Sequence, residues 1–91
     1  MPTVGPPAPG VRWQDLDDRV VAFNPATGRA AALNETATQI WKLADGTRDE
    51  RQVVEKLAQL YAVDATAIEA DVLATIEQLR AEGLLPSEPP E

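Results

Sequence analysis

Carboxylates are the only side chains here whose types and spacing could carry acid–base chemistry, because the 91-residue chain has no cysteine and no histidine. That composition excludes disulfides, thiol nucleophiles, Ser-His-Asp triads and thiolate or imidazole metal sites. Asp17-Asp18 and Asp49-Glu50 fall at turns or helix starts, where the helix dipole favours an acid. Glu69 and Asp71 fall on the surface of a helix. With no pocket or charged partner to move a pKa, these groups read as caps and solvated charges. The sequence is that of a binding protein rather than an enzyme, and no cofactor or metal is expected.

The more specific chemistry belongs to the main chain. Arg29-Ala30-Ala31-Ala32-Leu33 follows the turn signal Asn24-Pro25-Ala26-Thr27-Gly28 and pairs back as a strand despite its small side chains. At a sheet edge, its unpaired N–H and C=O groups could receive a guest strand, and the alanines would leave room for larger guest side chains. The alternative is that small residues only let helices pack closely on the sheet. Replacing Ala31 with proline would remove one donor from the guest's side if that N–H faces outward.

Three short strands and three helices must position this edge. Val11 to Asp15 alternates Val11 and Trp13 with Arg12 and Gln14, and Leu16-Asp17-Asp18 turns the chain into Arg19–Asn24. The third strand ends at Leu33. Asn34 caps a first helix from Glu35 to about Ala44, where Ala37, Ile40, Trp41 and Ala44 recur at helical spacing. This spacing puts Trp41 in the core, whereas Trp13 suits core packing and partner contact equally. Asp45-Gly46 ends the helix. Thr47-Arg48-Asp49-Glu50 has capping-box spacing before a second helix to Tyr61. That helix is expected to bury Val53, Leu57, Leu60 and Tyr61, with Val54 on the flank and the Tyr61 hydroxyl at the surface. Asp64 caps a third helix to Glu82, with Ile68, Val72, Ile76 and Leu79 on one stripe, and Leu84-Leu85 folds back over its end. The fold class is α+β, winged helix-turn-helix-like, with a three-stranded antiparallel N-terminal sheet packed on three α-helices. Residues 1–10 are expected to be a disordered, polyproline-like arm, 11–85 the folded domain and 86–91 a disordered tail.

Charge bears on the partner. Fifteen acidic residues oppose eight basic ones, a net charge of −7. The basic residues are scattered, and the third helix carries Glu69, Asp71, Glu77 and Glu82 against Arg80 alone. Duplex binding needs clustered Lys and Arg on phosphates, so a DNA-binding or dimerisation domain of a transcription regulator is the alternative and not the leading reading. The first residues lack the regions of a signal peptide and no apolar run approaches a membrane span, so a cytoplasmic protein without nucleic-acid or membrane partners is expected.

An ordered set of segments resembles the PqqD family, whose fold is also called the RiPP recognition element. They are Phe23-Asn24-Pro25-Ala26-Thr27-Gly28-Arg29, Leu33-Asn34-Glu35-Thr36-Ala37 with Ile40-Trp41, and Leu43-Ala44-Asp45-Gly46-Thr47-Arg48. Leu57 to Tyr61 with Val63-Asp64, Ala70-Asp71-Val72-Leu73, Leu79 and Glu82-Gly83-Leu84-Leu85 complete it. The hairpin turn differs from that of members acting in pyrroloquinoline quinone synthesis. It is more similar to standalone chaperones found beside lasso-peptide or radical SAM genes.

The resemblance implies a non-catalytic chaperone for the leader of a ribosomally made precursor peptide. The leader would add as an antiparallel strand beside the third strand, in a groove against the third helix, and be presented to a radical SAM protein or peptidase. Carried residue by residue, the site is Arg29, Ala30, Ala31, Ala32 and Leu33, with Ile68, Asp71, Thr75 and Gln78 as the groove wall. Glu69 and Leu73 form the alternative wall. Asp71 would pair with a basic guest side chain or fix Arg29, or else make a structural ion pair. A monomer or weak homodimer is expected, since an open edge could also pair with another copy.

Overall fold

The computed structural model describes residues 3–17 and 19–86. Strands β1 (Arg12–Leu16), β2 (Arg19–Asn24) and β3 (Arg29–Ala32) precede helices α1 (Glu35–Leu43), α2 (Glu50–Tyr61) and α3 (Ala65–Ala81). The sheet is antiparallel with order β1-β2-β3, which leaves β3 at an edge. The winged helix-turn-helix-like class therefore holds. Gly28, at φ +74°, supplies the left-handed residue that closes the β2–β3 turn.

Alternation along β2 sets the two faces of the sheet. Val20, Ala22 and Asn24 point inward while Arg19, Val21 and Phe23 point out. Ile40 and Trp41 of α1, Val53 and Leu57 of α2, and Val72, Ile76 and Leu79 of α3 complete the core, and Leu84 and Leu85 close its end. Trp13 is half exposed and meets the buried Trp41 ring edge-to-face, with centroids 6.1 Å apart, so it is partly core and partly surface.

One buried hydroxyl joins sheet to helix. Thr38, with no exposed surface, accepts the Val20 N–H at 3.1 Å and donates to the Leu33 carbonyl at 3.3 Å. Leu33 N–H also donates to the Val20 carbonyl at 2.8 Å. The hydroxyl thus stands in for the missing half of a ladder pair exactly where the chain leaves β3 for α1. Asn34 Oδ1 then accepts the Ala37 N–H at 2.8 Å and caps that helix.

Several expectations need correction. The arm is not loose: Val4 is fully buried, its N–H donates to the Arg48 carbonyl at 2.7 Å, and its carbonyl accepts the Gly46 N–H at 3.0 Å. Farther along, the Ala8 N–H reaches the Leu84 carbonyl at 3.1 Å. The arm bends as it crosses the core: Gly5 takes φ +80°, and the Val11 N–H closes a turn on the Ala8 carbonyl at 3.1 Å. At Gly5 the backbone passes so close to the Ala44 carbonyl that a Cβ would collide with it. The folded unit includes Thr3 to Gly10. Of the expected tail, Pro86 is exposed and residues 87–91 lie outside the described residues, as does Asp18 of the expected turn.

The cap of α2 is also shifted. Asp49 is its N-cap and forms the reciprocal box with Gln52, not Thr47 with Glu50. Thr47 instead donates its N–H and hydroxyl to Asp45, holding that carboxyl below its usual pKa. Asp64 occupies the N-cap position of α3 without a side-chain capping bond. Leu60 and Tyr61 are exposed although helical spacing returns them to the stripe of Val53, Val54, Leu57 and Ala58; they form the last turn of the helix, past the part of it that the core covers.

Thr38→Val, nearly the same shape, leaves the Val20 N–H and Leu33 carbonyl without this partner and should cost about 1–3 kcal/mol in urea unfolding, whereas Thr38→Ser should retain most of the bond energy. Val4→Ala should lower stability by about 1.5–2 kcal/mol in the same assay; an unchanged midpoint would mean the arm does not pack in solution.

Candidate functional site

β3 makes its element contacts with β2 alone, so a gap separates it from α3. The gap is a hollow of about 310 Å³, and Ala30, Ala31, Ala32, Leu33, Thr75 and Gln78 all line it. Both ends of the strand are fixed. At the α1 end, Thr38 holds Leu33. At the turn, Asn24 Nδ2 donates to the Gly83 carbonyl at 2.6 Å while Asn24 Oδ1 accepts the Ala26 N–H at 2.9 Å. The buried Asn24 therefore locks the hairpin to the end of α3 and leaves the alanine run open between two anchors.

Register decides which main-chain groups are free. Opposite residues are Val21 and Ala32, Ala22 and Ala31, Phe23 and Ala30. Because the Leu33 N–H faces β2, alternation turns Ala31 toward β2 as well and sends the N–H and C=O groups of Ala30 and Ala32 outward. Ala31 is therefore not the residue whose donor faces a guest. The free edge offers two donors and two acceptors, at Ala30 and Ala32.

The expected wall of α3 is divided by the fold. Thr75 and Gln78 share the β3 hollow, whereas Ile68 and Asp71 line a neighbouring apolar hollow of about 260 Å³ with Thr36, Leu57, Tyr61, Val63 and Val72. Both hollows lie on the flank of α3 carrying Ile68, Asp71, Thr75 and Gln78, and the N-terminal turn of α1 borders each, through Ala37 and Thr36. Glu69 and Leu73 line a third hollow with α2 residues such as Val54 and do not face β3. Arg29 lines none of these hollows. Among the described residues, neither Asp71 nor Arg29 makes an ion pair, so Asp71 does not fix Arg29 and makes no structural salt bridge. The Asp71 carbonyl accepts the Thr75 hydroxyl at 2.8 Å, which occupies the Thr75 proton and leaves its oxygen as an acceptor toward the hollow.

Asn34, Ala37, Leu79 and Glu82 also line the β3 hollow and were not singled out from the sequence. Glu82 was within reach of that reading: it lies four residues after Gln78 and seven after Thr75, on the same flank of the helix. Asn34 and Ala37 depend on how α1 leaves the sheet, which no periodicity specifies. Glu82, and not Asp71, is the carboxylate beside the free edge.

Comparisons with known proteins agree with this architecture. The family model described as coenzyme PQQ synthesis protein D (PqqD) matches residues 19–85. A PqqA binding protein of Rhodopseudomonas palustris strain TIE-1 is 37% identical over 75 residues, spanning 82% of this chain and 72% of the relative. One from Xanthomonas oryzae pv. oryzae strain KACC10331 is 38% identical over 74 residues, 78% of this chain and 80% of that protein. The fold is similar to TbiB1 solved in complex with the TbiA(beta) leader peptide, with a TM-score of 0.83 at 23% identity, covering 94% of this chain and all of that one (100%). It is also similar to the solution structure of the PqqD truncation of Methylobacterium extorquens PqqCD, a stand-alone RiPP recognition element. There the TM-score is 0.71 at 29% identity, covering 89% of this chain and 86% of that one. The chain belongs to the PqqD family.

Proposed function

We propose that this protein is a non-catalytic peptide chaperone that binds the leader of a ribosomally made precursor by strand addition at β3 and presents it to a modifying enzyme. The observation that carries the reading is the free pair of outward-facing residues, Ala30 and Ala32, opposite Thr75 and Gln78 across an open hollow. A guest strand there can make up to four main-chain hydrogen bonds, each worth about 0.5–1.5 kcal/mol net. Side chains seated against Thr75, Gln78 and Glu82 supply the rest of the roughly −8 kcal/mol that micromolar binding needs. The PqqA binding proteins among its relatives and the leader-bound TbiB1 of similar fold support this reading.

The guest runs antiparallel to β3, so its N-terminal residues pass Leu33 and reach the hollow of Ile68, Tyr61 and Val63, with Asp71 at hand for a basic side chain. The modifying enzyme is a radical SAM protein or a peptidase, and the chaperone acts in the cytoplasm as a monomer or weak homodimer. No described helix is long and apolar enough to cross a membrane. A DNA-binding role has no support in the scattered basic residues.

Ala32→Pro removes an outward donor without touching the β2 ladder, as proline at an edge position can. It should weaken binding of a fluorescein-labelled PqqA peptide, or of the leader of a short precursor encoded beside this chain, by about tenfold, near the loss of one bond. Unchanged anisotropy titrations with a folded Ala32→Pro protein would count against strand addition at β3. Asp71→Ala should weaken a leader carrying a basic residue upstream of its strand by about threefold to tenfold while leaving the melting temperature unchanged, as expected for one partly solvated charge pair. Equal affinity for both proteins would remove Asp71 from the site.

A further inference from the structure

The outer face of the sheet is uncovered and differs in charge from the rest of the molecule. Alternation places Arg12, Gln14 and Leu16 of β1, Arg19, Val21 and Phe23 of β2, and Ala30 and Ala32 of β3 on it. Among the described residues, the one helix that packs against β2, α1, does so from the opposite side, where Val20 and Ala22 meet the core. Leu16 is 50% exposed, Phe23 40% and Val21 36%, so three large apolar side chains lie together in solvent. Two arginines border them and no strand position on this face is acidic, although the chain as a whole carries −7. Among the described residues, neither Arg12 nor Arg19 forms an ion pair.

We infer that this face docks the enzyme that acts on the bound peptide, through an apolar patch of that enzyme bordered by carboxylates. The inference rests on the peptide-chaperone reading and adds where the enzyme sits. Charge complementarity selects the partner: two guanidiniums that form no ion pair among the described residues favour a surface that supplies acids, and a face-to-face second copy would set arginines against arginines. Continuity with the peptide site adds a reason. A strand paired to β3 extends the same sheet, and every second guest side chain emerges on this face beside Ala30 and Ala32. An enzyme seated on Phe23 and Val21 would therefore touch the chaperone and the peptide together. Exposed aromatic and arginine side chains are also the types that anchor protein interfaces.

The test uses the full chain with its peptide and the purified enzyme that modifies that peptide. Two double variants are made, Val21→Thr with Phe23→Thr and Arg12→Glu with Arg19→Glu, and their folding is checked by circular dichroism and melting. Both should keep peptide affinity within twofold of wild type while weakening association with the enzyme at least tenfold by interferometry. The arginine variant should also lose the salt dependence of that association. Wild-type enzyme affinity in both folded variants would overturn the inference. So would light scattering that shows the wild type dimerising through this face, with the threonine variant monomeric. Failure of the wild type to bind peptide at all would instead strike the chaperone reading, and the two failures are read in separate titrations.

Discussion

A single hydroxyl governs the geometry on which the molecule depends. The β3 strand ends against a helix that starts two residues after Leu33, too abruptly for the ladder to close by itself. Thr38 sits in the first turn of that helix and reaches back to hold the Val20 N–H and the Leu33 carbonyl together. A buried polar group left unpaired costs about 1–3 kcal/mol, so threonine at this position fixes the angle between sheet and helix as well as stabilising it. Everything opposite β3 inherits that angle: α1 sets α3 through their shared core, and α3 sets the width of the hollow.

Asn24 makes the second constraint, at the far end of the same strand. Its amide spans the hairpin and the Gly83 carbonyl, so the wing cannot swing away from the end of α3. Between these anchors the strand carries three alanines, which neither fill the hollow nor reach α3. A larger residue at Ala31 would point into the core side of the sheet, and larger residues at Ala30 or Ala32 would mask the outer face. The weak intrinsic strand propensity of alanine is offset by the fixed ends. An edge that is open, short and clamped is suited to receiving one guest strand without unravelling.

Much of this was legible in the sequence because it is written in local chemistry. Asn34 as a cap, the Pro25 and Gly28 turn and the inward stripe of Val72, Ile76 and Leu79 follow from backbone preference and periodicity. The six residues Ala30 to Leu33, Thr75 and Gln78 do meet at one hollow. What could not be read depended on distant partners. Val4 gains its place from the backbone of Gly46 and Arg48, some 40 residues away, and a proline-rich composition carries no sign of that. The orientation of Ala31 is a matter of parity. One residue of shift exchanges inward for outward groups, and three consecutive alanines give no pattern from which to count. Ile68 and Asp71 separate from Thr75 and Gln78 because α3 is long enough to pass two different neighbours, first the end of α2 and then the sheet edge.

Parity also links the two surfaces of the sheet. The inner face is committed to the helices through Val20 and Ala22, and the outer face to solvent through Val21 and Phe23. A strand added at β3 must obey the same alternation, so its side chains divide into a set that enters the hollow beside Thr75, Gln78 and Glu82 and a set that stands beside Ala30 and Ala32. The first set can be selected by this chain alone. The second is left visible, because alanine is too small to cover it. A peptide held in this way is recognised by half of its side chains and displays the other half, and a slip of one residue would exchange the two sets and lose both. The clamps at Thr38 and Asn24 therefore do more than stabilise a small domain: by fixing which groups of β3 face outward, they fix which half of a guest can be read.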